Sequence, residues 1–147
     1  MKKLVLLTLV LAVVASLAAV PVFARSDNAK GAVKVALVEV ADPDNVVGWA
    51  ICNSNGDGMV NVQIHLDNGE PNKTFNVQVK MRDGTEKNVD IGTVTLTTND
   101  KGKGNAHAQG VIPAGKTQVK VVLWDGDIGI GTKKYRTSPH FTALPLK

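Results

Sequence analysis

The chain has 147 residues, with 17 basic and 13 acidic side chains, a net charge of +4, 14 glycines and a single cysteine. That length suits one domain able to bury a core without staples. A lone thiol excludes an internal disulfide, and basic residues interleaved with acidic ones leave no linear stripe of the kind that marks a nucleic-acid partner.

The first segment carries an address. Lys2 and Lys3 precede an almost unbroken apolar run from Leu4 to Val20, which ends at Pro21 and the small-residue exit Val22-Phe23-Ala24. A positive start, an apolar centre and a small-residue cleavage site define a secretory signal peptide, here residues 1–24. The rival is a retained membrane anchor, since about 18 apolar residues can span a bilayer; Pro21 and the cleavage site favour removal. The expected product is an exported bacterial protein, residues 25–147, without a membrane span. Its location is the periplasm, the cell surface or the medium. Lys2 and Lys3 leave with the leader, so the mature chain is less basic than the whole.

From residue 32 onward the dominant period is two, the mark of strands with one buried face. Residues 33–40 are apolar on both faces, as in a central strand. Val47, Trp49 and Ile51 give the next strand, with Cys52 as a small inert hydrophobe in its interior. Val60, Val62, Ile64 and Leu66 alternate with Asn61, Gln63 and His65; Phe75, Val77, Val79 and Met81 alternate with Asn76, Gln78, Lys80 and Arg82. In 89–98 the apolar phase flips at Gly92, which predicts a bulge or a strand changing sheets. A shorter strand covers 104–109, and Val119, Val121 and Leu123 mark another. Turn sequences such as Asp67-Asn68-Gly69 and Asp83-Gly84 separate these runs, and no helical period persists. Seven or eight short antiparallel strands with turns at roughly 8–12-residue spacing point to a β-sandwich or barrel. The expected core is Val35, Trp49, Ile51, Val60, Val62, Ile64, Leu66, Phe75, Val77, Val79, Val94, Leu96, Val119, Val121 and Leu123.

The succession of Val60–Leu66, Pro71–Val77, Gly92–Thr98, Gly102–Asn105 and Pro113–Val119 resembles the immunoglobulin-like β-sandwich modules of exported microbial proteins over residues 32–125. The resemblance implies a Greek-key antiparallel sandwich and an adhesive or structural role. Fold alone does not set function.

Candidate sites are sparse. Asn53-Ser54-Asn55-Gly56-Asp57-Gly58 resembles the first half of a calcium loop, but Asn53 stands at the first ligand position and Ile64 at the twelfth. A hairpin turn explains it more simply. Asp57, Asp125 and Asp127 would form a calcium site only if their loops met. His65 and His107 lie out of phase with the apolar residues and could share a solvated face to hold zinc or copper, with His140 as a third ligand; scattered surface histidines are the plainer reading. Trp124 is either an exposed anchor for a sugar or protein or is covered by residues 135–146. No nucleophile elbow or paired carboxylate supports catalysis. The reading is therefore a non-enzymatic, monomeric module that needs no cofactor and has a binding or structural role toward a cell-surface or protein partner. A metal-binding exported protein is the alternative.

Overall fold

The computed structural model describes residues 32–55, 57–84 and 87–145. The expected leader, residues 1–24, lies outside them. The described residues form nine strands and no helix: β1 (Ala32–Glu39), β2 (Val46–Ser54), β3 (Met59–Leu66), β4 (Thr74–Arg82), β5 (Val89–Thr97), β6 (Gly104–Val111), β7 (Gln118–Asp125), β8 (Thr132–Ser138) and β9 (Thr142–Ala143). None of it is a helix long and apolar enough to cross a membrane.

All pairings are antiparallel, in the order β5-β4-β7-β8-β1-β2-β3-β6, with β9 added beside β7. The sheet rolls until its two end strands touch, giving a nearly closed barrel. Along that seam a Cβ on Gly92 would sit 3.1 Å from the Gln109 carbonyl oxygen, and one on Gly104 would sit 2.7 Å from that of Thr97. A Cβ on Gly110 would overlap the Ile91 carbonyl oxygen outright. Glycine is required at Gly110 because two backbones approach there with no room for a side chain.

Alternation fills the interior as expected for β3, β4 and β7. Val60, Val62, Ile64 and Leu66 point inward with Phe75, Val77, Val79 and Met81, against Val119, Val121 and Leu123. Each such side chain contributes about 1.5–3 kcal/mol by leaving water. Val35 and Leu96 are buried as expected, while Val94 is only partly so. The phase flip near Gly92 is a bulge: Val79 pairs with Gly92 and Lys80 with Asp90, so Ile91 is the unpaired extra residue.

Two core assignments are corrected. Trp49 and Ile51 are half-buried on the outer surface, whereas Ala50 and Cys52 point inward. The cause is a second bulge. Leu37 pairs with Gly48 and Val38 with Val46, so Val47 is skipped and the phase of β2 reverses beyond it. Val47 itself remains fully buried.

β8 has no counterpart among the strands placed from periodicity. It delivers Tyr135 into the core, where the ring meets Phe75 edge-on at 5.2 Å and 69°. The Tyr135 hydroxyl accepts the Glu70 backbone N–H at 2.9 Å, pinning the β3–β4 loop. Thr98 Oγ1 donates to the Glu70 carbonyl at 2.6 Å and accepts from the Lys73 N–H at 3.0 Å, tying the same loop to the end of β5.

Candidate ligand-binding groove

The bulge at Val47 has a chemical consequence: it turns an indole outward. Beyond it, Trp49 pairs with His65 on β3, and His65 pairs with Asn105 on β6, so the three side chains form one row across the outer face. Gly48 allows β3 to come this close, because a Cβ there would overlap the His65 carbonyl oxygen. The Trp49 and His65 rings stack at 4.7 Å with 25° between planes. Lys34 Nζ lies 4.6 Å from the Trp49 ring centroid. Since β1 and β3 flank β2, the cation and the imidazole approach the indole from opposite sides and hold it upright.

His65 is held at both ring nitrogens. Nδ1 meets Asn105 Oδ1, and Nε2 lies 3.0 Å from Asp67 Oδ1. One step further along the ladder, Gln63 pairs with His107. His65 and His107 are therefore diagonal neighbours on adjacent strands, on one outward face. The side chains of Trp49, Gln63, His65, Asn105 and His107 surround an open groove of about 370 Å³ whose floor includes Ile64 and Ala106. Amides and imidazoles both donate and accept hydrogen bonds, and they stand beside an aromatic surface. Among the described residues no hydroxyl, thiol or ammonium belongs to the lining.

The remaining sequence candidates are dispersed. Antiparallel register puts the β2–β3 turn with Asp57 at one end of the barrel and the β7–β8 turn with Asp127 at the other. Asp125, at that second end, is ion-paired with Lys73 at 3.2 Å. The three carboxylates are thus not gathered. The segment at Asn55 is a hairpin turn in which Asn55 N–H donates to the Met59 carbonyl at 3.1 Å and Asn55 Oδ1 accepts the Met59 N–H at 3.2 Å. His140 sits after β8, away from His65 and His107, against Lys120 and Arg136. Among the described residues no group of three or more His, Cys, Asp or Glu side chains is placed to hold a metal ion.

Trp124 is 6% exposed, its Nε1–H donates to Gln78 Oε1 at 3.1 Å, and Lys133 Nζ lies 5.1 Å from its ring centroid. It is a buried outer-face residue, not a projecting anchor. Cys52 is buried, and burial pushes its thiol up to about 12. The aromatic side chain at the groove is Trp49, which strict alternation had placed inside. The small residues Gly48, Ala50 and Cys52 on the opposite phase were the available signal, since a crowded interior accommodates them beside the bulky side chains of β3.

No protein-family model, curated protein or solved structure matches this chain.

Proposed function

We propose that the chain is an exported, non-enzymatic binding module of the immunoglobulin-like sandwich kind, working as a monomer at the cell surface, in the periplasm or in the medium. The groove at Trp49 receives a neutral, hydroxyl-rich ligand, a saccharide. Export rests on the leader-like residues 1–24. The sandwich form rests on the strand-and-turn pattern of residues 32–125, and it requires the β5–β6 seam, which has no hydrogen-bond ladder among the described residues, to be an opening between two layers.

The observation that carries the ligand class is the outward Trp49 indole, braced by His65 and Lys34 beside a square of hydrogen-bonding side chains. Sugars present hydroxyls and apolar C–H groups, which the amides and imidazoles and the outward edge of the indole satisfy. Retention without turnover is the reading adopted, because no hydroxyl or thiol stands beside the His65 and His107 imidazoles for either to activate among the lining side chains. The diagonal His65–His107 pair favours the metal-binding alternative only to the extent of two ligands.

The test is isothermal titration of the purified chain with a panel of neutral oligosaccharides, beside Trp49→Ala, His107→Ala and Trp124→Phe. Aromatic anchors typically contribute about 2 kcal/mol or more, so Trp49→Ala is expected to weaken binding about thirtyfold. His107→Ala weakens it less, and Trp124→Phe leaves it intact. Equal binding by Trp49→Ala and the parent chain would contradict the reading. Zinc bound stoichiometrically and lost on His65→Ala would favour the metal-binding alternative.

A further inference from the structure

The outer face of β4, β7 and β8 gathers cations that are far apart in sequence. Lys80 and Lys120 are directly opposite each other across the β4–β7 ladder, a like-charge pairing that destabilises a sheet. Arg136 stands diagonally on β8, opposite Val122. Lys120 is only 8% exposed, and its Nζ lies 2.8 Å from His140 Nε2. The other imidazole nitrogen, Nδ1, lies 3.0 Å from Arg136 Nη1. Arg82 belongs to the same face but is occupied: its Nε donates to Gln118 Oε1 at 2.9 Å and its guanidinium lies 3.8 Å from the Phe141 ring centroid. The carboxylate at the margin is Asp90, which pairs with Lys80 at 3.5 Å.

Proton bookkeeping around His140 does not close. Arginine is always protonated and has donors only, so Nδ1 of a neutral imidazole accepts from Arg136. The ring proton is then on Nε2, pointing at Lys120 Nζ, and a protonated lysine has no lone pair to receive it. Placing the proton on Nδ1 opposes it to Arg136 instead. Either way two donors face each other across a hydrogen-bond distance. Burial first, then the charges of Lys80, Lys133, Arg136 and Arg82, push the Lys120 ammonium down to about 8, which still leaves it largely protonated near neutrality. Burial and the charges of Lys120, Arg136, Arg82 and Lys133 lower His140 as well. Asp90 serves Lys80 and Gln118 serves Arg82, and among the described residues no carboxylate pairs with Lys120, Arg136 or His140.

We propose that Lys120, Arg136 and His140, with Lys80 beside them, form a receptor for a tetrahedral oxyanion, a phosphate or sulfate group. Its oxygens accept from the ammonium and the guanidinium, and from the imidazole N–H as Lys120 and His140 draw apart around it, which resolves the donor conflict, and its charge offsets the Lys80–Lys120 repulsion. The site is separate from the Trp49 groove, which lies on β2, β3 and β6, so either can fail without the other.

The experiment is a titration of the purified chain with inorganic phosphate, inorganic sulfate and a sulfated monosaccharide, each against sodium chloride at equal ionic strength. It follows the His140 ring and Lys120 side-chain resonances. Saturable shifts at both groups are expected with phosphate or sulfate. Lys120→Met and Arg136→Gln should each weaken binding about tenfold or more, because each removes a charge-assisted hydrogen bond. Lys120→Met conserves the packing of the stem, and Arg136→Gln on the half-exposed rim gives a second reading should Lys120→Met not fold. Tighter binding of the sulfated sugar than of the free ions would identify an ester as the source of the oxyanion; tighter binding of the free ions would identify the inorganic species. Shifts no larger than those caused by chloride, or binding unaffected in a folded variant of either residue, would overturn the proposal.

Discussion

Substituting Gly110 by alanine tests whether the sheet closes on itself. The added Cβ would lie 2.8 Å from the Ile91 carbonyl carbon and closer still to its oxygen, where real Cβ contacts essentially never fall below 3.0 Å. Because the oxygen is the nearest atom, reaching ordinary contact at 3.4 Å requires β5 and β6 to separate by more than about 1 Å, and the obstacle is backbone, which cannot rotate away. Gly110 is not among the glycines with positive φ, so no conformational penalty accompanies the change. In an open strand Gly→Ala would instead gain about 0.5–1 kcal/mol. Overpacking typically costs about 1–3 kcal/mol, and a backbone obstacle places Gly110→Ala at the upper end. For a domain of this size that is a drop of about 8–12 °C in Tm. Gly92→Ala is the internal control, since its Cβ at 3.1 Å from Gln109 O asks for a shift of only a few tenths of an ångström. Thermal unfolding followed by circular dichroism measures both. A Gly110→Ala protein as stable as its parent would mean that β5 and β6 do not meet, and the barrel reasoning would fail with it.

Three further outcomes follow from the same contacts. Tyr135→Phe keeps the ring against Phe75 but leaves the Glu70 N–H without its acceptor, at a cost of about 1–2 kcal/mol in urea unfolding. An unchanged midpoint would show that the hydroxyl does not pin the loop. Cys52 should resist a thiol reagent at pH 8 until denaturant is added, because burial holds its thiol at about 12; rapid labelling of the native chain would refute this. Lys120 carries a pH signature. Its folded pKa of about 8 lies below the unfolded value of 10.5, so between those pH values the unfolded chain binds the additional proton and stability rises with pH. Below pH 8 the penalty is fully present. Lys120→Met should therefore stabilise the protein at pH 7 by about 1–3 kcal/mol and abolish that rise, as measured by unfolding at pH 7 and pH 10. Burial is the largest cause, followed by the charges of Lys80, Lys133, Arg136 and Arg82; the other titratable groups facing the site are His140, against Lys120, and Asp90, paired with Lys80. Equal pH dependence in parent and variant would contradict it.

Period-two alternation made most strands legible, because residues on β3, β4 and β7 face a single interior and cannot slip by one without exposing a whole row. The bulge at Ile91 was legible too, through the phase flip beside Gly92. The bulge at Val47 was not: Val46 and Val47 are both apolar, so two registers of β2 look alike, and the choice between them decides whether Trp49 is core or surface. β8 is not legible because Thr132–Ser138 carries a single bulky inward residue, Tyr135, with only the small Thr137 beside it on the inward face and basic side chains as neighbours. Trp124 is buried although it is out of phase, since Gln78 and the Lys133 stem cover the outer face there. Both proposed sites depend on cross-strand neighbours: Trp49, His65 and Asn105 in one, Lys80, Lys120 and Arg136 in the other. Strand register alone brings these together, and no local pattern in one sequence records it.

The most direct measurement is two-dimensional NMR of the isotope-labelled chain during titration with the tightest-binding neutral oligosaccharide of the panel. The account predicts that the Trp49 indole N–H and the side-chain signals of Gln63, His65, Asn105 and His107 shift together with one saturation curve, while the Trp124 indole stays still. Shifts centred on another face, or no saturable shift with any sugar tested, would contradict it.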